Sequence, residues 1–146
     1  MSSMDDRELR RILESTRRVA VLGMHDAPIK AAFYVPEYLH RVGYEVYGVN
    51  PKLAGRRMFS HEVVATLAEL PEAVDMIDVF RRSELLPGHL DEILAMAVRP
   101  AVVWLQLGVR NDRVAQRLRA EGIEVVQDRC TLADHQRLGL RARSAP

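Results

Sequence analysis

Five short apolar segments recur along the chain, and each is followed by a segment in which apolar residues have helical spacing. The first of them, RVAVLG at residues 18–23, is rich in valine and shows no regular alternation of polar and apolar residues. Such a run is typical of a strand buried on both faces, as in a parallel sheet. The alternation of such strands with helices along the chain predicts right-handed crossovers and helices on both faces of that sheet.

The other predicted elements follow the same order. The remaining strands are predicted at YEVYGVN, DMIDVF, AVVWLQLG and IEVVQDR (44–50, 75–80, 101–108 and 123–129). Helices are predicted at residues 5–16, 34–43, 61–67, 83–97, 111–122 and 132–140. The predicted fold class is therefore α/β, a Rossmann-like, doubly wound parallel sheet of five strands in the order 3-2-1-4-5.

The chain is expected to have three parts. A leading helix within residues 1–17 precedes one α/β domain over residues 18–138. Residues 139–146 form a polar tail that is expected to be disordered. The length of 146 residues suits one domain of this kind.

Composition excludes several classes of protein. The formal net charge of +1 argues against a nucleic-acid binder driven by electrostatic attraction. The single cysteine, Cys130, rules out an internal disulfide and favours a reducing compartment. The first residues are too charged for a signal peptide, and no apolar run reaches the roughly 18 residues of a membrane-spanning helix. A cytoplasmic protein with no nucleic-acid or membrane partner is therefore expected.

A ligand of such a sheet is expected beyond the carboxyl ends of the strands, where the strand order reverses. Four segments face that crevice: the loop after Gly23 and residues 50–52, 80–83 and 106–111. Basic residues in or beside them include Lys30, Lys52, Arg56, Arg57, Arg81 and Arg82. Cations grouped around one crevice predict a polyanionic ligand, whereas the alternative is that they are solvated surface charges.

The first loop lacks the dinucleotide-binding fingerprint. That pattern requires glycine at three positions, which here hold Gly23, His25 and Pro28. The second strand ends in Asn50 and, two residues later, Lys52, in place of the acid that holds a ribose diol. An NADP-type site stays open as an alternative because a lysine suits a phosphate. The loop itself is either a phosphate cradle of backbone amides or a bare turn.

The sequence contains few catalytic groups. The five histidines have no metal-ligand spacing, and no metal site or catalytic residue is predicted. Asp75 and Asp78 are expected to make turn and polar contacts. Cys130 is the strongest reactive candidate, because Arg129 and a helix N-terminus would lower the pKa of its thiol. The alternative is a buried, inert cysteine.

Five ordered blocks together resemble a known family. They are VAVLG, GYEVYGVNP, DMIDVFRR, VVWLQLGVRN and VVQDRC, and they extend from about Val19 to about Leu138. The chain resembles the stand-alone CoA-binding domain proteins, which are similar to the N-terminal CoA-binding domain of the succinyl-CoA synthetase alpha subunit. The resemblance implies that coenzyme A binds in the crevice.

The resemblance also implies which residues contact each part of CoA. The phosphates would lie against Gly23, Met24, His25 and Lys30. The adenosine would be flanked by Val49, Asn50 and Pro51, with Lys52 near its extra phosphate. The adenine and diphosphate side would be lined by Val79, Phe80, Arg81 and Ser83. The start of the pantetheine arm would be bordered by Leu105, Gln106 and Leu107.

The chain departs from the family pattern in some positions. Ala31 and Ala32 follow Lys30 where relatives carry a hydroxyl, and Leu53 holds the position of the synthetase lysine. The synthetase's second domain has no counterpart, so ligase chemistry is not expected.

The predicted function is a non-catalytic CoA-binding protein that acts as a sensor, carrier or partner subunit. Whether it binds free CoA or acyl-CoA, and whether it forms a homodimer or binds another protein, stays open. One alternative is a redox protein in which Cys130 forms a mixed disulfide with CoA. Two others are an NADP-type domain and a structural domain with an empty crevice.

Overall fold

The computed structural model describes residues 4–142, so residues 143–146 of the predicted tail lie outside the described residues. The strands are β1 Arg18–Leu22, β2 Glu45–Val49, β3 Arg57–Met58, β4 His61–Glu62, β5 Met76–Val79, β6 Val102–Leu105 and β7 Glu124–Val126. The α-helices are α1 Asp6–Ser15, α2 Ala31–Arg41, α3 Leu86–Leu94, α4 Asp112–Ala120 and α5 Thr131–Arg137.

Five of the strands form one parallel sheet in the order β2-β1-β5-β6-β7, which confirms the predicted α/β fold class. The predicted strand order was wrong. Counted along the chain, the five strands lie in the order 2-1-3-4-5, because β5 pairs with the inner side of β1. All four residues of β5 are buried, as suits an interior strand. The other edge of β2 is occupied by Val64, whose N–H donates to the carbonyl of Gly48 (3.1 Å).

The helix predicted at residues 61–67 was also wrong, since this segment begins as a β-hairpin. Phe59 and Ser60 take positive φ values of 53° and 78° and turn the chain between β3 and β4. The ring of His61 then stacks on Tyr47 of β2, with 4.1 Å between ring centroids. These contacts carry the chain along β2 to Val64 and leave only a single 3₁₀ turn, at Leu67–Glu69.

Helices cover both faces of the sheet, as predicted. Successive residues of a strand point to opposite faces, so Ala20 and Leu22 pack with α3 and α4, whereas Val19 and Val21 pack with α1 and α2. Trp104 is fully buried on the same face of the sheet as Val19 and Val21, and its Nε1 donates to the carbonyl of Arg129 (2.8 Å). Trp104 is therefore a core residue.

Side chains cap the N-termini of two helices. The side chain of Asp5 accepts a hydrogen bond from the N–H of Glu8, and that of Asn111 accepts one from Val114. Helix α3 begins at Leu86, after a 3₁₀ turn at Ser83–Leu85, which places a proline in its first turn. Among the described residues, no helix is long and apolar enough to cross a membrane.

The edge strand β7 is short and is held by charged side chains. Arg119 of α4 donates to the carbonyl of Val125 (3.1 Å), and Arg11 of α1 pairs with Glu124. The strand that forms the other edge, β2, is covered by Val64, as described above. Both outer strands are therefore tied to neighbouring elements.

Candidate functional site

A cavity of about 600 Å³ opens where the loops after β1, β2, β5 and β6 meet. It lies at the carboxyl ends of these strands. The strand order reverses between β1 and β5, which is the position at which open parallel sheets bind ligands. Nine predicted site residues line the cavity: Gly23, His25, Lys30, Asn50, Lys52, Phe80, Arg81, Gln106 and Leu107.

Gly23 permits the loops after β1 and β5 to approach each other. Its φ is +89°, and a Cβ at this position would lie 2.5 Å from the carbonyl oxygen of Phe80. The same Cβ would lie 2.8 Å from Cδ of Arg81. Only glycine combines this backbone conformation with so little space.

Cationic side chains from three loops line the cavity. They are Lys30 from the first loop, Lys52 from the second, and Arg81 and Arg82 from the loop after β5. The acidic residue that lines it, Asp26, is already paired with Arg56, whose Nη1 lies 2.8 Å from a carboxylate oxygen. The pairing holds the pKa of Asp26 below its ordinary value. The cavity is therefore positively charged.

The first loop offers hydrogen-bond donors to an anion. His25 Nδ1 accepts from the N–H of Ala27 (2.9 Å), so in the neutral ring the proton is on Nε2. Ala31 and Ala32, in the first turn of α2, also line the cavity. No described residue accepts a hydrogen bond from their N–H groups, which the helix dipole makes favourable for an anion.

Asn50 fixes the geometry of two loops. Its Nδ2 donates to the carbonyl of Met24 (2.7 Å), and its Oδ1 accepts from the N–H of Lys52 (2.9 Å). The amide thus ties the first loop to the turn that carries Lys52. Both ends of the side chain are occupied by backbone groups, so its geometry favours positioning over direct contact with a ligand.

Arg81 is held by a chain of side chains that leads away from the cavity. Its Nε lies 3.3 Å from His89 Nε2, and His89 Nδ1 lies 2.9 Å from a carboxylate oxygen of Glu92. The other oxygen of Glu92 accepts from the N–H of Leu67 (2.9 Å). This chain orients the guanidinium of Arg81 along the cavity wall.

Six of the predicted site residues do not line this cavity. Met24, Val79 and Leu105 are fully buried in the core, where strand or loop packing fixes them. Val49 and Pro51 line a smaller cavity of about 170 Å³, which shares Gly23, Asn50 and Arg81 with the main one. Ser83 instead accepts a hydrogen bond from the N–H of Arg110 (3.0 Å).

Several lining residues were missed by sequence reasoning: Asp26, Ala31, Ala32, Leu53, Gly108 and Val109. The alanines contribute backbone N–H groups, which almost every residue type has, so the sequence does not reveal them. Asp26 was missed because the search for an anion-binding pocket considered only basic residues. Its partner Arg56, 30 residues away, was the available signal.

A buried polar network lies behind Gln106. Gln106 Nε2 donates to Asp78 Oδ1 (2.6 Å) and to Thr131 Oγ1 (2.9 Å), and Thr131 donates to Asp78 Oδ2 (3.1 Å). Burial raises the pKa of the Asp78 carboxyl to about 7, although the hydrogen bonds that it accepts from Gln106 and Thr131 lower it. The polar contacts expected of Asp78 are therefore confirmed.

Cys130 is partly buried, which favours the inert alternative over the reactive one. Burial raises the pKa of its thiol, whereas the backbone N–H groups of Ala133 and Leu132 only oppose that effect. The guanidinium of Arg129 is held by Asp134, with 2.7 Å between Nε and a carboxylate oxygen. The expected lowering of the thiol pKa was therefore wrong, and Cys130 is not among the residues that line the cavity.

Comparison with known proteins agrees with this architecture. Residues 17–136 match the CoA binding domain family. YneT, an uncharacterized protein of Bacillus subtilis (strain 168), is 33% identical over 135 residues, which make up 92% of this chain and 97% of YneT.

Solved structures are similar over the same region. The Thermus thermophilus protein designated cell-free ID.343 has 47% sequence identity and a TM-score of 0.87, covering 92% of this chain and 99% of that chain. A hypothetical protein from Pyrococcus horikoshii OT3 has 26% identity and a TM-score of 0.84, covering 92% of both chains. The family predicted from the sequence blocks is confirmed: the chain belongs to the CoA-binding domain family.

Proposed function

We propose that this protein binds coenzyme A in the cavity at the strand ends and catalyses no reaction of its own. The observation that carries the proposal is the convergence of Lys30, Lys52 and Arg81 on one cavity where the strand order reverses. Membership of the CoA-binding domain family supports the same ligand. A sensor, carrier or partner subunit needs binding of this kind and no further chemistry.

The first loop suits the diphosphate of CoA. A phosphate there would accept hydrogen bonds from the N–H groups of Ala31 and Ala32 and from Nε2 of His25, with Lys30 as counter-ion. These donors replace the hydroxyl that relatives are expected to carry after the basic residue.

The smaller cavity suits the adenosine part. It adjoins the main cavity, and Leu22, Val49 and Pro51 contribute apolar surface to it. An adenosine in this cavity would leave its extra phosphate at the entrance, on the side of Lys52. The role proposed for Lys52 is therefore to distinguish CoA from dephospho-CoA.

Isothermal titration calorimetry with CoA, dephospho-CoA, NAD and NADP tests the proposal. We expect CoA to bind more tightly than the other three ligands. Tighter binding of NADP than of CoA would refute the proposal in favour of a dinucleotide site. Mass spectrometry of CoA and of an acyl-CoA, recovered after incubation with the protein, should show both unchanged.

A matched pair of variants tests the role of Lys52. Lys52→Ala should weaken CoA binding by about 3- to 10-fold and leave dephospho-CoA binding unchanged, since one exposed charge-assisted contact is lost. Arg57→Ala removes the same charge from an exposed position outside the cavity lining and should change neither affinity. Equal losses in the two variants would mean that only overall charge matters.

A further inference from the structure

Gln106 is nearly inaccessible and yet belongs to the cavity wall. Only 4% of its surface is exposed, and it lines the cavity beside Leu107. Both hydrogens of its amide nitrogen point into the protein, toward Asp78 and Thr131. The polar atom that remains for the cavity is the carbonyl oxygen, Oε1.

The network determines which end of the amide faces inward. The hydroxyl of Thr131 donates its hydrogen to Asp78, so its oxygen offers Gln106 only lone pairs. With the Asp78 carboxyl ionised, as at pH 8, turning the amide over would place Oε1 against two acceptors, at the 2.6 and 2.9 Å now spanned by N–H bonds. Such a contact in a buried position is strongly unfavourable.

The outward oxygen has no partner within the described part of the chain. Neither a backbone N–H nor a side-chain donor of the described residues bonds to Gln106 Oε1. Among the described residues no fully buried side-chain oxygen lacks a partner, so Oε1 is open to the cavity, where water or a ligand can bond to it. The lining cations come from the loops after β1, β2 and β5, whereas Gln106 follows β6 and presents an uncharged oxygen.

We propose that Asp78 and Thr131 are positioning residues that hold the Gln106 carbonyl toward the cavity, where it accepts a hydrogen bond from a secondary amide of the ligand. This inference rests on the proposed function, because the pantetheine arm of CoA carries such amides. The site then selects a ligand by an N–H donor as well as by its phosphates.

The test, carried out at pH 8 where Asp78 is ionised, compares CoA with an analogue in which esters replace the pantetheine amides. The wild-type protein should bind CoA about 3- to 10-fold more tightly than the ester analogue, the effect of one hydrogen bond. Gln106→Met, which keeps the volume and removes the acceptor, should bind the two ligands equally. An adenosine bisphosphate that lacks the pantetheine arm should bind both proteins alike.

A second pair of variants tests the positioning. Thr131→Val leaves one Gln106 hydrogen unpaired and should reduce the preference for CoA over the ester analogue to below about twofold. Thr131→Ser keeps the hydroxyl and should retain the wild-type preference. A purely structural role for Thr131 would change stability and leave the ligand preference intact.

The outcomes separate the two hypotheses. If the wild-type protein binds no CoA, the proposed function fails, and this inference fails with it. If it binds CoA but shows no preference over the ester, or if Gln106→Met keeps that preference, only this inference is wrong. Should Gln106→Met not fold, the preferences of Thr131→Val and Thr131→Ser decide in the same way.

Discussion

Replacing Asp78 by asparagine should change how stability depends on pH. The folded state raises the pKa of this carboxyl from 3.8 to about 7, chiefly through burial. Between these values the folded protein keeps a proton that the unfolded chain has released, so stability falls as pH rises. In that window the free energy of unfolding falls by about 1.4 kcal/mol for each unit by which the pH rises.

The magnitude follows from this window. From pH 5 to pH 8 the wild-type protein should lose about 3 kcal/mol through Asp78 alone. Asp78→Asn cannot ionise and should not show this loss. Its free energy of unfolding, relative to wild type, should therefore rise by about 3 kcal/mol over the same interval and level off above pH 7.

Urea unfolding at closely spaced pH values between 5 and 8 measures this difference. Contributions from other titrating groups cancel when the two proteins are subtracted at each pH. Thr131→Val provides a second check, because the hydrogen bond from Thr131 lowers the pKa of Asp78. Its loss should extend the falling limb above pH 7. Parallel curves for wild type and Asp78→Asn would refute the reasoning.

Three further predictions concern other sites. Gly23→Ala should destabilise the fold by about 2–4 kcal/mol in urea unfolding, because its Cβ would meet the carbonyl of Phe80. Gly48→Ala should lower the free energy of unfolding less, because its Cβ would meet the flexible end of the Met24 side chain. Cys130 should react with a disulfide reagent at pH 8 at least about tenfold more slowly than in the urea-unfolded chain, and equal rates would contradict its raised thiol pKa. Burial and a hydrogen bond to Glu45 raise the pKa of Tyr47 to about 12, so tyrosinate absorbance after a rapid pH jump should show a component near pH 12 that Tyr47→Phe lacks.

Local patterns were sufficient to predict much of the fold. The apolar run of β5 predicts a buried strand because side chains on both faces avoid water. The strand order could not be predicted in this way, since periodicity carries no information about which strands pair. The hairpin turn was missed because Phe59 and Ser60 adopt positive φ without the glycine that usually marks it.

The part of the site that could be predicted consists of side chains that closely follow a strand. Lys52 and Arg81 were found this way, since a parallel sheet brings strand ends together. The Asp78 network was not, because its partners lie 28 and 53 residues further along the chain. The raised pKa of the Cys130 thiol has a different origin: burial raises it, and Asp134, only five residues from Arg129, engages the guanidinium that was expected to activate the thiol.

The tied outer strands have a consequence for contacts between molecules. An open sheet normally offers backbone groups at its rims on which a foreign strand can grow. Here Val64 occupies one rim, and β7 has only three residues, with the carbonyl of Val125 taken by Arg119. Aggregation by strand addition is therefore disfavoured, which leaves the helices and loops as the more accessible surfaces for a partner.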